Sequence, residues 1–198
     1  MSIEFIIIPK IISKFKNQFE YSIEINLTKF LKFCCPKCKI EIFDKDKKYD
    51  KKKVFIFTGG NTVIKFSKAK ENQIRNAMDK KALKIANKMK SKIIGLCHGA
   101  QFIALSNNAT LEKTEEHKKK HKIKIITKNQ KKHTVNSYHN YEITKLPGIF
   151  EVLAVSHNNS IEAFKDKKEL LLCLMWHPER YKKFKLIDKK IFKKFLCN

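Results

Sequence analysis

Short apolar, β-branched runs alternate along the chain with segments in which apolar residues return every three or four positions, the pattern of an α/β fold built on a largely parallel sheet. Residues 3–8 read as a first strand, and 54–58 (VFIFT) as a short buried strand that stops at Gly59 and Gly60. Between them, residues 22–33 read as an amphipathic helix carrying Ile23, Leu27, Phe30 and Leu31. The clearest helix is 71–90, with Ile74, Met78, Ala82, Ile85 and Met89 expected along its buried face. Residues 92–96 (KIIGL) then predict a strand and 98–106 a helix directly after it. The second half is richer in strands, at 122–127, 133–138, 150–156, 160–164 and 170–175, before a final helix at 186–196. The polar stretch 113–133 is expected to be a mobile loop. With no internal repeat and no Gly/Ser linker, 198 residues predict one domain, 1–198.

Composition narrows the class of protein. Hydrophobic residues make up 42% and include 15 Phe, too many for a disordered chain despite a formal charge of +25. No apolar run approaches the roughly 18–20 residues of a spanning helix, and no small-residue cleavage site follows the N-terminal apolar stretch. The expectation is a cytoplasmic chain without a membrane span. Arg75 and Arg180 are the only arginines among the 44 cationic residues. A nucleic-acid reader concentrates Arg and interleaves aromatics, so the lysine runs at 51–53, 118–120 and 131–132 read as solvated loops and no specific nucleic-acid partner is expected. Such a charge still favours anionic small molecules through its summed field.

Six cysteines, at 34, 35, 38, 97, 173 and 197, in a chain read as cytoplasmic are expected to be reduced. Cys35 and Cys38 have C-x-x-C spacing and Cys34 adds a third thiol, but no second pair completes a zinc site, and metal or redox chemistry there is the minority reading. Cys173 reads as core. His117 and His121 could share a helix face, yet they sit in a cationic run that repels a divalent ion and read as solvated loop histidines. No metal and no organic cofactor is expected.

The chemistry concentrates in three segments. In Gly95-Leu96-Cys97-His98-Gly99-Ala100-Gln101 a cysteine stands where a predicted strand turns into a predicted helix. This is the arrangement of a nucleophile elbow, in which glycine neighbours allow a tight turn and the helix N-terminus favours a thiolate. Trp176-His177-Pro178-Glu179 follows the apolar run LLLCLM, so a histidine and a carboxylate emerge together at a strand end. A cysteine nucleophile needs a histidine to take its proton, and that histidine needs an acceptor to fix its tautomer. Thr58-Gly59-Gly60-Asn61 supplies backbone N–H groups without side-chain cover, able to cradle an oxyanion.

GLCHGAQ, the upstream TGGN and the distal WHPE together resemble the class I glutamine amidotransferase family, and more narrowly its stand-alone γ-glutamyl hydrolase (peptidase C26) branch. SIEINLTKFLK, Arg75 with Asp79, and Val135-Asn136-Ser137-Tyr138-His139 extend the resemblance over nearly the whole chain. It implies a three-layer flavodoxin-like fold with extra strands in the C-terminal half. It also implies Cys97 as nucleophile, His177 as general base and acid, and Glu179 as orienting carboxylate. The backbone of Gly60 and His98 would form the oxyanion hole. Gly59, Asn61, Gln101, Ser137, Tyr138 and His139 would contact the substrate. The implied reaction passes through a γ-glutamyl thioester on Cys97 and releases L-glutamate without a cofactor. The sequence departs from the branch at His98, where Arg is usual, at Asn61-Thr62 in place of Asn-Asp, and at Asp79 in place of Glu.

A narrower resemblance runs through Asn159-Ser160-Ile161-Glu162-Ala163-Phe164-Lys165, Leu174-Met175-Trp176-His177 and Glu179-Arg180, which are similar to hydrolases of γ-glutamyl-CDP-amidate. It implies a nucleotide-linked γ-glutamyl substrate and a place in the phosphoramidate decoration of surface polysaccharide. Two alternatives stay open: a glutaminase subunit delivering ammonia to a partner synthase, and a non-catalytic binding protein on the same fold.

Overall fold

The computed structural model describes residues 3–50, 53–115, 120–126 and 131–197. Strand β1 (Glu4–Ile8) leads into a hairpin of β2 (Lys10–Phe15) and β3 (Gln18–Ser22), then α1 (Ile25–Cys34), β4 (Lys39–Ile42), β5 (Lys53–Phe57), α2 (Lys70–Lys88), β6 (Lys92–Leu96) and α3 (His98–Ser106). The second half contains β7 (Thr110–Lys113), β8 (His121–Ile125), β9 (Lys132–Val135), β10 (Tyr141–Lys145), β11 (Phe150–Ser156), β12 (Ile161–Asp166) and β13 (Leu171–Leu174), then a 3-10 turn (Pro178–Arg180) and α4 (Leu186–Cys197).

One sheet runs β4-β1-β5-β6-β13-β12-β11-β8-β9, with β10 pairing to β12 and to β7. Its first five strands are mutually parallel. Counted in chain order they lie 2-1-3-4-5, the doubly wound flavodoxin-like arrangement, which gathers loops at the carboxyl ends of the strands. From β13 onward the pairing is antiparallel, which supplies the extra C-terminal strands. Helices cover both faces. Ala82 and Ala86 of α2 pack with Ala100, Ile103 and Ala104 of α3 on one side, and Leu27, Phe30 and Leu31 of α1 with Phe192 and Phe195 of α4 on the other. Burial on both faces is why β1, β5, β6 and β13 are near-continuous apolar runs.

The helix expected at 22–33 begins only at Ile25, because Ser22 is taken into the hairpin and Glu24 stands at the N-cap. The expected apolar face of α2 is corrected by one residue. Asn72, Arg75, Asp79, Ala82 and Ala86 are its buried positions, and Ile74, Met78, Ile85 and Met89 only flank them. The helix's first half lies over strand ends whose exposed carbonyls need polar partners, so its buried stripe there is polar. The loop expected at 113–133 is broken by β8, which pairs with β11 and β9; residues 116–119 and 127–130 of it lie outside the described residues. Of the lysine runs, Lys53 opens β5 and pairs with Glu4, and Lys132 opens β9. Lys51, Lys52, Lys118 and Lys119 lie outside the described residues.

Behind the site, the Trp176 indole N–H donates to Asp188 Oδ1 at 3.0 Å, tying the end of β13 to α4. Burial pushes the Asp188 carboxyl up to about 6, and its Oδ2 has no hydrogen-bond partner among the described residues. A carboxyl whose folded pKa lies above its unfolded value of about 3.9 contributes most at low pH, and that contribution is lost as pH rises through 6. Asp188→Asn keeps an acceptor for Trp176 and removes the charge. It is expected to be more stable than the parent at pH 8 by about 2 kcal/mol, with the difference vanishing at pH 4, read by urea unfolding at the two pH values.

Candidate active site

Cys97 occupies the single residue between β6 and α3. Its φ of 48° is a conformation that non-glycine residues rarely hold, and hydrogen bonds on both sides fix it there: its N–H donates to Leu174 O at 2.8 Å and its carbonyl accepts from Gln101 N–H at 2.9 Å. The turn is tight because its neighbours are glycines. A Cβ on Gly99 would stand 2.2 Å from the Phe57 carbonyl oxygen, and one on Gly95 2.8 Å from Cys173 Sγ. The elbow read from the sequence is therefore present, with Cys97 93% buried at the carboxyl end of the parallel strands.

His177 follows β13, the strand next to β6, and its Nδ1 lies 2.7 Å from Glu179 Oε1. Asn136 holds the histidine backbone on both sides, accepting from His177 N–H at 2.9 Å and donating to His177 O at 2.7 Å. The Cys97 side chain lies on the same side of Gly59 as the His177 ring. Gly59 permits this approach: a Cβ there would lie 2.5 Å from His177 Cε1 and 3.4 Å from Cys97 Cβ. Burial pulls the His177 imidazolium down, but the charge and hydrogen bond of the Cys97 sulfur, with the Glu179 carboxylate behind, more than offset this and hold it at about 9.

The turn after β5 faces the elbow. Gly60 has φ of +111°, open to glycine alone, and a Cβ there would meet the Lys10 side chain at 2.7 Å. Asn61 anchors the turn to β2, accepting from Ile11 N–H and donating to Ile11 O, each at 2.9 Å. Arg75, fully buried, donates to Pro9 O at 2.8 Å, Thr58 O at 3.0 Å and Asp79 Oδ1 at 2.8 Å, and so ties the ends of β1 and β5 to α2. Burial pushes the Asp79 carboxyl up, yet Arg75 and His98 outweigh it and hold the group below the ordinary carboxylate range. The His98 ring completes the network with Nε2 2.9 Å from Asp79 Oδ2 and Nδ1 2.9 Å from the Asn61 carbonyl.

Other expected contact residues divide. The exposed Tyr138 ring lies 5.6 Å from the His177 ring, and the Arg180 guanidinium stands over it 5.1 Å from its centroid. Arg180 in turn donates to Glu24 of the α1 N-cap, with Nε 2.9 Å from Oε2. Gln101 is buried and donates its amide to Tyr141 O at 2.9 Å. Ser137 and His139 are buried, His139 with Nε2 3.9 Å from Glu162 Oε1. His121 approaches the same Glu162 oxygen at 3.2 Å. That corrects the reading of His121 as a solvated loop histidine: it opens a strand and its side chain is buried, while His117 lies outside the described residues. Cys34 is a core residue of α1, its pKa pushed up to about 12 by burial. Among the described residues no group of three His, Cys, Asp or Glu side chains is arranged to hold a metal ion. No helix among them is long and apolar enough to cross a membrane.

Asn136, Thr58, Glu24 and Arg180 stand inside the motif segments, yet the sequence assigns them no role. Their signal is weak because each acts through backbone carbonyls or a long-range ion pair, which no local spacing encodes.

Comparison with known proteins agrees with this geometry. Residues 15–198 match the family described as glutamine amidotransferase class-I. A γ-glutamyl-CDP-amidate hydrolase of Campylobacter jejuni is 34% identical over 128 residues, which are 65% of this chain and 62% of that protein. A glutamine-hydrolyzing GMP synthase of Campylobacter lari is 33% identical over 115 residues, 54% of this chain and 22% of the synthase. Both matches thus cover less than two thirds of the relative's own length. Among solved structures, a candidate GMP synthase component from Thermoplasma acidophilum aligns with a TM-score of 0.73 at 20% identity, covering 100% of this chain and 94% of its own, a likeness that bears on the fold. With the family match spanning all but the first strands and the doubly wound half-sheet carrying a cysteine elbow, this chain belongs to the class I glutamine amidotransferase family.

Proposed function

We propose that this protein is a cysteine-dependent hydrolase of a γ-glutamyl amide. The observation that carries the reading is the His177–Glu179 pair at 2.7 Å, with Cys97 beside the same ring and Gly59 packed against both. The Cys97 thiolate attacks the γ-carbonyl carbon, and the carbonyl π-electrons move to oxygen. Backbone N–H groups of Gly60 and His98 donate to that oxyanion. As the intermediate collapses, the C–N bond breaks and the His177 imidazolium gives its proton to the leaving nitrogen. Neutral His177 then takes a proton from water, whose oxygen attacks the thioester, and L-glutamate departs as the Cys97 thiolate is restored. Glu179 holds Nδ1–H throughout and stabilises each imidazolium.

The substrate we favour is a γ-glutamyl conjugate of an anionic, nucleotide-linked amidate such as γ-glutamyl-CDP-amidate, in the making of surface-polysaccharide phosphoramidate. Support comes from the similarity to the Campylobacter jejuni hydrolase and from the chain's charge of +25. Similarity to the amidotransferase portion of GMP synthases favours, as a second reading, a glutaminase that passes ammonia to a synthase. A panel of γ-glutamyl-CDP-amidate, glutamine and γ-glutamyl dipeptides, assayed for glutamate release by the purified protein alone, separates the two. The first reading expects kcat/KM for the nucleotide conjugate at least 100-fold above that for glutamine. Equal values would overturn it, and activity on glutamine that appears only with a synthase would establish the second.

A further inference from the structure

The two oxygens that face the His98 ring are of one kind. Asn61 O is a backbone carbonyl and accepts only; Asp79 Oδ2 belongs to a carboxylate held ionised by Arg75, and it also accepts only. Each lies 2.9 Å from a ring nitrogen, so both contacts are hydrogen bonds only when both ring nitrogens carry hydrogen. A neutral ring has one N–H and must turn a lone pair toward the other oxygen. The ring itself is 98% buried, and no solvent repairs the loss. The carbonyl at stake belongs to the residue directly after Gly60, and the Asn61 side chain already pins the far side of the same turn to Ile11.

Resting on the hydrolase reading above, we propose that His98 is a positioning residue: as a two-donor ring it fastens the turn 59–61 to the buried Arg75–Asp79 pair, and its proton decides whether the Gly60 N–H is held facing Cys97. Residue 98 would then serve the oxyanion twice, by its own backbone N–H and by fixing its partner donor. Among the described residues the charged groups that act on it are Asp79 and Arg75 from α2, while Lys10 from β2 lies against Gly60 of the turn and Cys97 precedes it in the chain. Asp79, whose Oδ2 lies 2.9 Å from the ring, favours the proton. Burial first, and Arg75 with it, disfavour it and place its loss on the acid side of an ordinary histidine. The second fastening is therefore lost as pH rises through that value. An arginine at this position offers several donors and does not titrate, whereas a glutamine offers donors from one nitrogen only.

The test is kcat and KM for glutamate release between pH 5 and 9 by wild type, His98→Arg and His98→Gln, each first shown to be folded by its thermal melt. The oxyanion exists only after attack, so the effect belongs in kcat. His98→Gln is expected to lower kcat about tenfold at pH 5.5 with KM within twofold, a fraction of what losing a whole oxyanion donor costs. The ratio of His98→Arg to wild-type kcat is expected to rise at least fivefold from pH 5.5 to 8. An active wild type with a ratio flat in pH, or His98→Gln matching wild type, overturns this inference and leaves the hydrolase reading standing. A wild type silent on every γ-glutamyl substrate removes both. If His98→Arg does not fold, the 15N spectrum of the wild-type imidazoles decides: a resonance absent in His98→Gln must show two protonated ring nitrogens at pH 5.5 and one at pH 8, and a ring singly protonated throughout overturns the inference.

Discussion

Cys97→Ala is expected to abolish glutamate release from every substrate that the wild type turns over, by about 10⁴-fold or more in kcat. The size follows from what the sulfur does. Without it no thioester forms, and water must attack an amide directly while the two oxyanion donors supply the little acceleration that remains. The substitution should leave the fold in place, because Ala at 97 keeps the backbone hydrogen bonds to Leu174 and from Gln101. Thermal melting within a few degrees of wild type is the control. Cys97→Ser is the sharper companion. It keeps a nucleophilic atom at nearly the same place, but a serine hydroxyl is a far weaker acid and nucleophile than a thiol in a site shaped for sulfur, so its residual rate should be close to that of Cys97→Ala. A serine variant within tenfold of wild type would remove the thiolate from the mechanism.

The parallel half of the fold and the two glycine-bounded turns were legible because their causes are local. VFIFT and KIIGL are short and largely apolar on both faces; VFIFT stops at Gly59, and Gly95 and Gly99 flank the turn that follows KIIGL. The strands without a sequence signal are β2 and β3 of the hairpin, β4 and β7 at edges, and β10, which joins β7 to β12; in them only one face or neither is buried and the apolar signal is diluted by Lys and Glu. The same reasoning explains α2. Arg75 and Asp79 look like surface charges in a hydropathy pattern, yet they are completely buried because the carbonyls of Pro9 and Thr58 need donors and the Arg75 guanidinium needs a counterion. His121 was misjudged for a related reason. Its lysine neighbours point outward from β8 while it points in toward Glu162, a period-2 alternation that its HKKKHK context conceals. The C-C-x-x-C spacing does not itself tell which thiol is buried; the helix phase of α1 sends Cys34 into the core with Leu27, Phe30 and Leu31.

Glu179→Gln is expected to lower kcat by between about 10² and 10⁴ while KM changes little, and to move the alkaline limb of the pH profile toward neutrality. A glutamine has nearly the same shape and its amide oxygen can still accept from Nδ1–H, so the 2.7 Å contact survives in outline. What it lacks is charge, and the amide can turn its NH2 toward the ring and stabilise the tautomer whose Nδ1 is bare. That tautomer carries its proton on Nε2, the nitrogen needed as base. In the wild type the Glu179 carboxylate is one of the two groups, with the Cys97 sulfur, that hold the His177 pKa at about 9. Removing it lowers that value, so the imidazolium that must protonate the leaving nitrogen is lost at lower pH. The sign is fixed: a group whose pKa is raised by a partner keeps its protonated form to higher pH only while the partner is charged. kcat/KM measured from pH 6 to 10 should therefore fall with an apparent pKa near 9 in the wild type and at least one unit lower in Glu179→Gln. A variant with the wild-type limb and rate would leave Glu179 with a packing role alone and make the hydrolysis independent of its charge.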